Sequence, residues 1–157
     1  MNTSPRMAIF KSVLIALILT LVPLPSWLAI IRPDFVVLTV LYWSIRAPRS
    51  GGIGLGWACG LILDAFQGSV LGEHALAVAL VAYLGVREHQ RIRTKPLLQQ
   101  SLAVLAVLAL YEFVLWAIDG WSGHPLNTAL RWVPALTGAL LWPVVAPILA
   151  RSYRPRG

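Results

Sequence analysis

The sequence predicts an all-α integral membrane protein with six transmembrane helices, folded as a single membrane domain over residues 1–157. Three observations carry that expectation. Hydrophobic residues make up 58% of the chain and charged residues only 12%, about half the charged share of a soluble domain. Apolar runs recur six times, at approximately 8–31, 33–46, 51–66, 71–87, 97–118 and 130–150, with short polar breaks between them. The basic residues gather in alternate breaks. If all six runs cross and the N-terminus is cytoplasmic, 11 of the 13 basic residues fall inside and only Arg32 and Arg131 fall outside, as the positive-inside bias requires. The net charge of +7 is then a topology signal. Basic residues between apolar runs, rather than along one face, exclude a phosphate-tracking nucleic-acid surface.

The first run follows a polar start with Arg6 and Lys11, a pattern close to a signal peptide. The stretch PLPSW stands where a small-residue cleavage site belongs, so an uncleaved first span is expected. Pro23 and Pro25 should bend or end that helix. The second run has twelve residues and covers only about 18 Å of a ~30 Å hydrocarbon core. Charge argues for it nonetheless, because deleting this span would place the 46–49 and 87–95 basic clusters outside.

The third and fourth runs form a hairpin around a short polar break, 67–72. Gly52, Gly56, Gly60 and Asp64 recur every four residues, which on a helix stacks three glycines into a stripe ending at the acid. Such a stripe lets another helix approach closely, either the chain's own or a partner's. The fifth run leads into a polar, turn-rich segment, 119–125, expected to be an outer loop. The sixth contains Pro134, Pro143 and Pro147 and should be kinked. No repeat period or low-complexity tract is present.

Few residues offer chemistry. Glu112 lies in the middle of the fifth run, where a carboxylate is costly and faces the bundle interior or a cavity. It is read as a packed, hydrogen-bonded group or as a proton or ligand site; no second acid or intramembrane lysine is seen to complete a relay. Asp64, Glu73 and His74 cluster at the hairpin turn. Capping and an Asp64–His74 contact are expected there rather than a metal site, which needs three or more converging ligands. The basic segment 87–95 reads as a loop that fixes orientation or binds anionic headgroups. Gln99 and Gln100 either cap the fifth helix or bond across to another helix. Cys59 is the only cysteine, which excludes an intrachain disulfide and a cysteine-based metal site. No nucleophile–base pair, phosphate-cradling loop or zinc-helix pattern occurs, so no catalytic residue, cofactor or metal is assigned.

Several motifs together resemble the rod shape-determining protein MreD family of bacteria. They are Arg32-Pro33-Asp34, the VLYW stretch containing Tyr42 and Trp43, Ala47-Pro48, GLILD ending at Asp64, and the QGSVLG break with Gly68 and Gly72. Ala82-Tyr83, Leu98-Gln99-Gln100 and GALLWP with Trp142 and Pro143 complete the series. The match runs in order from residue 32 to residue 143. Glu73 departs from the pattern, in which an uncharged residue is commoner before His74. The resemblance implies a non-enzymatic protein of the bacterial inner membrane, both termini cytoplasmic, with a fold similar to the S component of energy-coupling-factor transporters. It implies work in the cell-elongation complex, with the bitopic protein MreC as direct partner. MreB and the glycosyltransferase–transpeptidase pair that extends lateral peptidoglycan belong to the same complex. The alternative reading is a solute-binding membrane subunit of a transporter, with Glu112 and Asp64 in its cavity. An intramembrane enzyme lacks any nucleophile constellation.

Overall fold

A computed structural model describes residues 4–123 and 130–153. Among them are seven α-helices and one 3-10 turn, and no strand. Helix α1, Pro5–Leu21, starts from Ser4, whose hydroxyl accepts from the Met7 amide, with Pro5 at the first helical position where its missing N–H costs nothing. Pro23 and Pro25 stop it. A short helix α2, Ser26–Ile31, follows, and then Arg32-Pro33-Asp34 leads into α3, Phe35–Arg46. The Arg32 guanidinium turns back and donates to the carbonyls of Thr20, at 2.5 Å, and Val22. Those are two of the carbonyls a helix C-terminus leaves without partners.

α3 is the centre of the bundle. Every residue from Val36 to Ile45 is buried, and the helix touches α1, α4, α5 and α7. Its shortness is made good by α2: together Ser26–Arg46 form a 21-residue stretch long and apolar enough to cross a membrane, 61% of it buried. Leu97–Ser122 and Leu130–Ser152 are the other two such stretches, each 28% buried. α2 therefore belongs with α3 in one candidate span, although the sequence reading attached those residues to the run before it.

The hairpin is α4, Ile53–Gln67, and α5, Glu73–Arg93. α4 ends at Gly68, whose φ of +65° is the left-handed stop that glycine adopts without a Cβ penalty. α5 runs on through Arg87 and Arg91 to Arg93. The basic segment expected as a loop is therefore mostly helix, with the turn confined to Thr94–Pro96. Glu88 sits within ion-pair distance of Arg87 and Arg91.

α6, Leu97–Ser122, is likewise longer than expected: Asp119 to Ser122 are helical rather than loop. His124 and Pro125, the rest of the expected loop, lie outside the described residues, as do Arg154 and Arg156. After the 3-10 turn Leu130–Trp132, α7 runs from Val133 to Ser152 without a break in the helix at Pro143 or Pro147. Neither proline has an N–H to give the preceding turn. α6 and α7 are tied at both ends, by Trp142 Nε1 donating to Gln100 Oε1 at 3.1 Å and by an Arg131–Asp119 ion pair.

Candidate functional site at the hairpin-turn end

The bundle has a basic end and an acidic end. Arg6, Lys11, Arg46, Arg49, Arg87, Arg91, Arg93, Lys95 and Arg151 occupy helix ends and turns on one side. The α4–α5 turn lies at the other. The acidic end is built from the close approach of α4 and α5. A Cβ added at Gly60 would sit 2.3 Å from Ala75 Cα, and one at Gly56 would sit 2.8 Å from Ala82 Cβ and 2.9 Å from Val78 O. The glycine face of α4 is thus filled by the chain's own α5. Gly52 is not part of that helical stripe, since it is the residue before α4 begins.

One turn beyond Gly60 on the same face, Asp64 reaches the start of α5. Its Oδ1 accepts from Ser69 Oγ at 2.8 Å and from both the backbone N–H and Nδ1 of His74 at 2.9 Å. Oδ2 accepts from the amides of Gly72 at 2.9 Å and Ala75 at 3.3 Å. The acid at the end of one helix therefore caps the next, satisfying amides that a helix N-terminus leaves free. An ionised carboxyl has about four lone-pair sites, and five donors here consume them. Asp64, 2% exposed, has no lone pair left for a metal or for proton transfer. With an acceptor opposite, the His74 Nδ1 carries the proton. Glu73 opens α5, where negative charge is favoured.

A second group of carboxyls gathers beside the cap. Glu112, 6% exposed, lies near enough to Asp34 for the two carboxyls to interact electrostatically. Glu73 meets Asp119 in the same way. Arg131 pairs with Asp119 and adds its positive field at Glu112, while its Nη1 is buried with no partner among the described residues. Tyr111 is buried among these acids. Five of the chain's six acidic residues thus converge from three parts of the sequence. The expectation that no second acid accompanies Glu112 is corrected here: Asp34, from the junction before α3, supplies it. Among the described residues no group of three or more His, Cys, Asp or Glu is placed to hold a metal ion.

The remaining motif residues meet at the basic end. Trp43 Nε1 donates to Ser12 Oγ at 2.8 Å, Tyr42 packs edge-on to Trp43 and tilted against Trp142, with ring centroids 5.2 and 6.1 Å apart. Gln100 does both things the sequence left open: its Nε2 donates to Lys95 O at 3.0 Å and its Oε1 accepts from Trp142. Gln99 is exposed. Pro143 follows Trp142 within α7.

Its described residues are helical without strands and include three stretches long and apolar enough to cross a membrane, which makes the chain a small helical membrane protein. The family model for rod shape-determining protein MreD matches residues 1–151, and the chain belongs to that family. It is 31% identical over 144 residues to the rod shape-determining protein MreD of Haemophilus influenzae, covering 89% of this chain and 86% of that protein. No solved structure matches it. Membership supports a role in determining rod shape.

Proposed function

We propose that the chain is a non-enzymatic scaffold of the bacterial cell-elongation complex. It sits in the inner membrane with six crossings and both termini cytoplasmic, binds MreC, and supports lateral peptidoglycan synthesis by MreB and the glycosyltransferase–transpeptidase pair. The observation that carries this reading is the internal use of its polar groups. Asp64 is saturated by five donors, Trp43 is spent on Ser12, and Trp142 is spent on Gln100, which leaves shape and close packing as the means of recognition in lipid. The bundle arrangement proposed is similar to an energy-coupling-factor S component. Copurification in mild detergent tests the scaffold: MreC is expected to come down with the tagged chain. A folded chain that never retains MreC, in cells that elongate normally without it, overturns the reading.

One observation favours the solute-binding alternative: the buried Glu112 has Asp34 near it, beside an Arg131 nitrogen without a partner among the described residues. If Glu112 is only packed, Glu112→Gln keeps size and hydrogen bonding and leaves cell width unchanged, whereas Glu112→Ala opens a hole. If a ligand or proton is bound, both substitutions widen the cells equally.

A further inference from the structure

A groove of about 510 Å³ runs between α1 and α7, with Phe35 of α3 in its floor and Ile15, Leu19, Val145 and Ile148 in its walls. It opens at the basic end beside Lys11 and Ser152. The hydroxyls along it are satisfied within the chain. Thr39 donates to Phe35 O at 2.8 Å, and Ser12 donates to Ile9 O at 3.0 Å while accepting from Trp43. Ser152 donates to Leu149 O at 2.6 Å. Lys11 is exposed and has no carboxylate within ion-pair distance among the described residues. The groove is therefore an apolar slot with one unspent positive charge at its mouth.

We propose that this groove holds an acyl chain of an anionic phospholipid, whose phosphate meets the Lys11 ammonium. Size argues for a lipid chain over a partner helix. A helix about 11 Å across and ~30 Å long occupies on the order of 3,000 Å³, several times the groove, whereas an acyl chain is a single methylene wide. Charge argues for an anionic headgroup. A lysine lays its aliphatic stem along apolar surface and presents its ammonium at the headgroup level, and basic pockets between transmembrane helices hold anionic headgroups. Only the leaflet that supplies the lipid depends on the orientation proposed above.

The full chain, purified in neutral detergent, is offered equal phosphatidylglycerol and phosphatidylethanolamine with matched acyl chains, and the retained lipid is read by native mass spectrometry. One phosphatidylglycerol per chain is expected, preferred about fivefold, the effect of one lysine near a headgroup. Lys11→Gln should abolish the preference at an unchanged melting temperature, Lys11→Arg should keep it, and Ile148→Trp, which fills the slot, should reduce retention of both lipids. Glycerol 3-phosphate, a headgroup without chains, should not compete. Equal retention of the two lipids by the unmodified chain, a preference that survives Lys11→Gln, or a photo-crosslinker at Ile148 that captures protein instead of lipid in native membranes would each overturn the proposal.

Discussion

Asp64 illustrates how one side chain fixes a turn. Asp64→Asn keeps the shape but turns an acceptor into an amide donor aimed at either the Gly72 and Ala75 amides or the Ser69 hydroxyl and the His74 amide. At least one buried donor then loses its partner, at about 1–3 kcal/mol. The melting temperature in detergent should fall accordingly, and Asp64→Ala should fall at least as far; an Asn variant as stable as the parent would show that the cap is dispensable. The neighbourhood of Asp64 and His74 is visible in the sequence, because only the short segment 68–72 separates the two helices. The Asp34–Glu112 proximity is not. It joins the α2–α3 junction to the middle of α6, and no local pattern links residues so distant along the chain. Arg32 and Arg131, the two basic residues that a topology count leaves on the wrong side, are each engaged at the acidic end, one with carbonyls of α1 and the other with Asp119. A charge count records where an arginine lies, not what neutralises it.

Among the elements, α4 and α5 depend on missing side chains. Gly60→Ala places a Cβ 2.3 Å from the α5 backbone, so the helices must separate, and Asp64 is drawn away from the amides it caps. The cost should be about 1–3 kcal/mol or more, read as loss of folded monomer in detergent, and Gly56→Leu should behave likewise. Gly54→Ala is the control. Nothing lies within 4 Å of its added Cβ, so helix propensity alone should raise stability by up to ~1 kcal/mol. Equal effects at Gly54 and Gly60 would mean that close approach is not what matters. The glycine spacing announced a helix contact but not its partner, since both an internal and an external helix satisfy the same pattern. Helix lengths were harder to read. α5 runs past its apolar run because Arg87–Arg93 are mostly good helix formers, and α6 continues through Asp119–Ser122 despite the poor propensity of Asp and Gly; at such helix ends hydropathy no longer reports structure.

Across the described residues, five of the six acids collect at one end and most of the bases at the other, and the proposed topology makes those ends the two sides of the membrane. In a Cys59→Ala background, single cysteines at Gln90 and Ser122 should react with impermeant maleimide from opposite sides. Labelling of both from the same side of intact cells would remove one crossing, and with it the proposed orientation. The apolar composition is legible as a membrane protein from the first glance, yet it cannot rank the helices by depth, since lipid and protein interior select the same side chains. The fully buried α3 has one more consequence, in biogenesis. It leaves the ribosome early, while α5 and α7, two of the helices that enclose it, are still to be made. During that interval its flanks face lipid, and an unbroken apolar surface from Val36 to Leu41, relieved only by Thr39 bonded to its own backbone, is what lets it wait there. A chain truncated after Gln67 should therefore still hold Ser26–Arg46 across the membrane in a glycosylation-mapping assay. If that segment instead slips back out, α3 enters the bilayer only when its later neighbours carry it.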